Sequence, residues 1–138
     1  MSVNESRILC HDKEAEIQVI GAFFYNNSFF YEAKDKGLTA DMFYHPKHQK
    51  IFNAVDAIVS ENKVADLISV AEYFNTHPSP DHYNPEAWEI AEISSTCIAP
   101  YMSFMQHLYR VQNLWQRRQL WVLGCSLINA GTDESIDL

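Results

Sequence analysis

The sequence predicts an all-α fold, a compact orthogonal bundle of several helices with one long helix at its C-terminal end. Three observations carry this. Apolar residues recur at helical spacing in segment after segment, helix-start signals precede most of those runs, and glycine is scarce, at 4 of 138 residues. Scarce glycine argues against strand-rich folds, which need many tight turns, and against glycine-rich phosphate loops. The length is that of one domain, and 47% hydrophobic residues supply a core.

The elements follow in order. Asp12 is the expected N-cap of a first helix reaching Tyr25, with Glu14 and Glu16 in its first turn and Ile17, Ile20 and Phe24 on helical spacing. Asn26-Asn27 breaks it. Ser28 is expected to cap a short helix from Phe29 to Lys36, which Gly37 closes. Thr39 begins a single turn, Ala40 to Phe43. Pro46 stands where a first helical residue belongs, and Ile51, Val55, Ile58 and Val59 make one apolar face. Asp66 caps the next helix, with Leu67, Val70, Ala71 and Phe74 at i, i+3, i+4 and i+7. After the loop His77–Asp81, Asn84-Pro85-Glu86 reads as cap, first-position proline and first-turn acid, with Trp88, Ile90 and Ala91 on the buried side. Pro100 starts the last helix, which runs to Asn129 or Ala130 and stops at Gly131. About 30 residues span roughly 45 Å, more than a small domain is wide, so part of this helix must project. Its second half is apolar nearly all round and therefore needs partners.

The net charge of −8 disfavours a surface built wholly for nucleic acid, because phosphate contacts dominate that affinity. The charge is uneven. Residues 93–132 hold no acid and three arginines, Arg110, Arg117 and Arg118. Three arginines make a weak nucleic-acid footprint and are better matched to acids on another protein chain. The interleaved Trp115 and Trp121 read as core or interface anchors. Cys10, Cys97 and Cys125 are odd in number and far apart, which points to a reducing cytoplasm rather than a disulfide framework. No signal peptide is visible, and the apolar run Leu120–Ile128 is too short to span a bilayer.

Catalytic chemistry finds little to stand on. His45 and His48 lie three apart, but no further ligands follow at metal spacing, and capping and surface positions account for the histidines. No nucleophile occupies a recognisable turn, and there is no G-x-x-x-x-G-K-[ST] loop for ATP.

Several segments resemble one family in order and spacing. Glu14-Ala-Glu-Ile-Gln-Val-Ile-Gly-Ala22 is similar to the E-A-E-x-x-V-L-G-A opening of the N-terminal domain of bacterial replicative helicases of the DnaB family. Phe43-Tyr44 with His48-Gln-Lys-Ile51-Phe52 resembles its F-Y-x-x-x-H-x-x-I-F stretch, and Asp66-Leu-Ile-Ser-Val70-Ala71 its V-D-x-x-T-V helix start. Tyr109-Arg-Val and Arg117-Arg118 fall where the family has Y-x-x-I-V and a later arginine. The resemblance spans about residues 10–132. Two departures stand out: Pro78-Ser-Pro80 replaces a glycine pair, and the chain ends at Leu138, just where the second arm of the family's helical hairpin is expected.

The resemblance implies a protein-docking collar on a hexameric ring, with a hairpin that pairs subunits and contacts primase in DNA replication. It implies no catalytic residue, no metal and no cofactor here, ATP and Mg belonging to a following ATPase domain. The implied division is a flexible segment 1–11, a globular body 12–100, a first hairpin arm 101–131 and the start of a second arm at 132–138. The expected partners are a homo-oligomer, dimer or larger, and primase, with DNA contacted only weakly, in a bacterial cytoplasm and with no membrane. The expected partner interface is Leu114, Trp115, Arg117, Arg118, Leu120, Trp121, Gly124, Leu127 and Ile128. The motif residues Glu14, Gly21, Phe43, His48, Phe52 and Asp66 are expected to be structural. The alternatives are a stand-alone helical adaptor, the helicase-binding region of a primase, or a small helical enzyme; the Glu14–Ala22 motif favours the helicase.

Overall fold

The computed structural model describes residues 9–137, which form six α-helices and one 3-10 turn with no strand among the described residues. The first helix, α1 (Lys13–Tyr25), is central. Its cap is the expected one, the Asp12 side chain accepting from the Ala15 backbone N–H at 3.0 Å. Residues from Ala15 to Phe23 are buried almost without a break, because other helices pack on several of its sides.

Helix α2 (Ser28–Asp35) starts one residue earlier than expected, with Asn27 as N-cap and Ser28 inside. The Asn27 side chain is used elsewhere: its amide donates to Phe23 O and Ala65 O, and its oxygen accepts from Ala65 N, tying α1 to the approach to α4. Gly37 takes φ +87°, the left-handed conformation that ends α2. A 3-10 turn (Ala40–Met42) leads to α3 (Pro46–Ser60), whose first residue is the proline. Helix α4 (Leu67–Thr76) opens on a reciprocal capping box, Asp66 accepting from Ser69 N and the Ser69 hydroxyl accepting from Asp66 N, each at 2.8 Å.

Helix α5 (Ala87–Thr96) departs from expectation. Its N-cap is Glu86, paired with Glu89, rather than Asn84. Asn84 instead donates its amide to Phe74 O and His77 O, closing the preceding loop. Trp88, expected on the buried side, is 62% exposed, while Ile90 and Ile93 hold the core.

The core is an aromatic cluster in which Phe23 meets Phe30, Phe52 and Phe104, and Phe43 meets Phe52, with ring centroids 5.3 to 6.4 Å apart. Gly21 sits where α1 crosses the end of α5. A Cβ there would fall 2.5 Å from the Cys97 Cβ and 3.1 Å from the Ile93 carbonyl oxygen, so only glycine permits this approach. The last helix, α6 (Pro100–Thr132), runs unbroken for 33 residues, about 50 Å. Gly131 does not stop it; the helix passes through that position and is capped at Asp133.

Candidate interaction surface

Helix α6 has two halves. Up to Arg118 it belongs to the body: Phe104, Leu108, Val111, Leu114 and Arg118 are buried. Beyond Arg118 no residue of the helix is buried, so residues 119–132 project by about 21 Å. Leu120 is 67% exposed and Leu127 66%, with Val122, Leu123 and Ile128 about half exposed. Trp121 is half-buried. Added Cβ atoms at Gly124 and Gly131 would meet nothing within 4 Å, so the projecting rod is bare around both glycines. Burial of apolar surface is the main driving force of association, and a stripe this long on one helix is a contact surface in waiting.

The structure divides the expected interface residues. Leu120, Trp121, Gly124, Leu127 and Ile128 share the projecting half. Trp115, half-buried, and Arg117, exposed and donating from Nε to Asn113 Oδ1 at 3.0 Å, stand at its base. Leu114 and Arg118 are corrected: both are buried in the chain's own body and offer nothing to a partner. Arg118 donates to Cys10 O and to Met42 O, each at 2.8 Å, and its guanidinium lies 5.5 Å from the centre of the Tyr44 ring. Burial pulls its pKa down from the usual value, with Glu16 acting in the opposite sense. It staples the N-terminal segment and the 3-10 turn to α6 at the point where the helix leaves the body. The expectation of flexibility for residues 1–11 lies largely outside the described residues; within them, His11 stacks on Tyr44 at 4.1 Å.

Behind this staple lies a buried polar junction. The Glu16 carboxylate, 2% exposed, accepts from Tyr44 N at 2.8 Å, from His45 N at 3.3 Å and from His48 Nδ1 at 2.7 Å. His48, expected to be structural, is fully buried, and it joins α1 to the start of α3. Glu14, the acid expected to matter, is exposed and, among the described residues, meets Gln18 alone, at 3.4 Å. Sequence reasoning missed Glu16, although a signal was there: it precedes Val19, Ile20 and Phe23 at i+3, i+4 and i+7, placing an acid on an apolar face. It also missed Gln18, which donates to Thr96 O and accepts from Ile98 N, holding the α5–α6 connection against α1. The motif residues Gly21, Phe43, His48 and Phe52 all lie in the packed interior, and Asp66 forms its cap at the surface. Among the described residues no cluster of three or more His, Cys, Asp or Glu side chains is arranged to hold a metal.

The body of this bundle, with the first part of α6, matches a known family. DnaB-like helicase N-terminal domain is the description of the family that matches residues 8–111. The chain belongs to that family. Its fold is that of the crystal structure of the N-terminal domain of DnaB helicase from Mycobacterium tuberculosis, with a TM-score of 0.82 over 90% of this chain and 86% of that one, at 19% sequence identity. No curated protein sequence matches the chain. The Glu16–His48 junction thus lies inside the DnaB-like match, whereas the projecting half of α6 lies beyond its last matched residue, 111. No helix among the described residues is long and apolar enough to cross a membrane.

Proposed function

We propose that this DnaB-type domain works as a collar of a replicative DNA helicase, building a ring by self-association and docking primase. The observation that carries the proposal is the projecting half of α6, whose leucines, valine and isoleucine have no cover in the body that holds the helix. A rod fixed at its base by Arg118 and bare beyond it presents a preorganised surface, which lowers the ordering cost of binding. Arg117 and Trp121 supply the charged and aromatic anchors that dominate protein interfaces. On this reading DNA contact is weak, since the chain carries −8 overall. Nucleotide chemistry belongs to a separate ATPase domain.

Titration calorimetry with a bacterial primase tests docking. Saturable binding is expected, weakened at least tenfold by Arg117→Glu or Trp121→Glu at unchanged melting temperature. Binding that both substitutions leave intact would remove this surface from the proposal. In the same instrument ATP with Mg should give no saturable heat at micromolar affinity; a clear isotherm would contradict the collar reading.

A further inference from the structure

Where α3 begins, the body has a hollow of about 320 Å³ lined by Lys13, His45, Pro46, Lys47, His48 and Tyr83. Its histidines stand out. Among the described residues three buried side-chain polar atoms lack a hydrogen-bond partner, and all three are ring nitrogens of one cluster: His11 Nδ1, His45 Nε2 and His48 Nε2. The rings of His11 and His48 each lie 5.2 Å from that of His45. Buried polar groups are nearly always paired, so this concentration marks a place where something else bonds.

Glu16 fixes what His48 offers. Its carboxylate accepts from two backbone N–H groups and lies 2.7 Å from His48 Nδ1. A carboxylate in that setting accepts from the ring as well, so Nδ1 carries the hydrogen and Nε2 of the neutral imidazole is a lone pair. His48 is 0% exposed, lines the hollow and has its Nδ1 turned to α1, so Nε2 is the polar atom it has for a ligand there. That lone pair needs a donor.

The remaining groups need an anion. Pro46 has no N–H, and His48 N and Gln49 N donate to His45 O. Among the described residues this leaves Lys47 N as an unpaired first-turn donor, at the positive end of a helix of 15 residues. The Lys13 and Lys47 ammoniums add two positive charges. The nearby carboxylates are already engaged: Glu16 by its three donors, Glu89 by Lys47 at 3.6 Å, Tyr83 Oη at 3.3 Å and Glu86 N at 2.8 Å. Tyr83, the far wall, is held in place by Lys50, whose Nζ contacts Asp81 Oδ1 at 2.9 Å and Ser79 Oγ at 3.2 Å.

A ligand for this hollow must donate to a buried lone pair and also carry negative charge. A metal cation meets the first demand and is repelled by the lysines. Sulfate or a carboxylate meets the second and sets its own lone pair against that of His48. A phosphate that keeps one hydroxyl meets both. We propose that the hollow binds inorganic phosphate in its monohydrogen form, the P–OH donating to His48 Nε2 and the other oxygens accepting from Lys47 N and the two ammoniums. His45 Nε2, whose tautomer no neighbour fixes, donates to a further oxygen.

Nuclear magnetic resonance of the histidine ring nitrogens in the whole chain tests the proposal, with inorganic phosphate, sulfate and glycerol phosphate as probes. At pH 7.5 a phosphomonoester, with its second pKa about 6, has lost its last hydroxyl, and sulfate has none. His48 Nε2 should shift saturably at millimolar phosphate, with sulfate and the monoester at least tenfold weaker. The double variant Lys13→Gln, Lys47→Gln should bind phosphate at least tenfold more weakly, while Lys63→Gln, beyond the other end of α3, should bind as the parent does. Histidine signals that stay still in phosphate would overturn the site, as would a double variant that binds undiminished. Sulfate or the monoester binding as tightly as phosphate would show a merely cationic hollow and overturn the role of the His48 lone pair.

Discussion

Replacing Gly21 by alanine sets two effects against each other. Glycine inside a helix is worse than alanine by about 1 kcal/mol, so propensity alone predicts stabilisation. The structure predicts the reverse. The new Cβ would lie 2.5 Å from the Cys97 Cβ and 3.1 Å from the Ile93 carbonyl oxygen, and neither is the end of a flexible side chain. Helices α1 and α5 must separate by roughly 1 Å, and overpacking of this kind costs about 1–3 kcal/mol. That separation also strains the Gln18 bonds to Thr96 O and Ile98 N one turn away. A net loss of about 1–2 kcal/mol follows, or a melting temperature lower by roughly 3–8 °C for a domain of this size. Gly124→Ala is the internal control, because an added Cβ there meets nothing within 4 Å and should stabilise the folded chain by up to about 1 kcal/mol. Urea unfolding of both variants, with Cys97→Gly added to Gly21→Ala as a relief mutation, gives the comparison. A Gly21→Ala variant as stable as the parent, or a Cys97→Gly substitution that recovers nothing of the loss, would refute the clash between α1 and α5.

Two further outcomes concern the buried junction. Glu16→Ala leaves Tyr44 N, His45 N and His48 Nδ1 without their acceptor and should cost about 3–5 kcal/mol by chemical denaturation, while Glu14→Ala on the exposed face costs within about 0.5 kcal/mol; equal effects would show that the junction is not holding the fold. His45 has its pKa lowered by burial, opposed by Glu16 and reinforced by the neighbouring His48, His11 and Lys13. The unfolded state therefore binds this proton more readily than the folded one, and stability present above about pH 6.5 is lost as pH falls below it. Melting temperatures between pH 7.5 and 5 should fall less steeply for His45→Gln than for the parent; parallel slopes would exclude His45 as a source.

Local rules carried most of the fold into view. The Asp12 cap, the first-position Pro46, the left-handed Gly37 and the Asp66 start of α4 each depend on residues within one turn of the feature they create, and each stands where the sequence placed it. The misplaced features depend on distant chain. Asn84 looks like a cap until its amide is claimed by Phe74 O and His77 O. Glu16 and His48 are 32 residues apart, and no spacing rule joins them. Leu114 and Arg118 look like part of the projecting stripe because helical periodicity says nothing about where the body ends; that boundary is set by Cys10 and Met42, whose carbonyls Arg118 reaches from 108 and 76 residues away. Trp88 follows the same logic in reverse, an aromatic at a buried-looking position that the body leaves 62% exposed.

Sedimentation velocity bears most directly on the claim that the projecting half of α6 is an interface. The wild-type chain and the variants Leu120→Glu and Trp121→Glu should be compared at tens of micromolar and at physiological salt. Neither residue is in the core, so both variants should keep the parent's helical content by circular dichroism. A wild-type chain that sediments as a dimer or larger, with both variants monomeric at unchanged helical content, is the predicted result. A wild-type chain that stays strictly monomeric to millimolar concentration, or glutamates that leave association untouched, would contradict it.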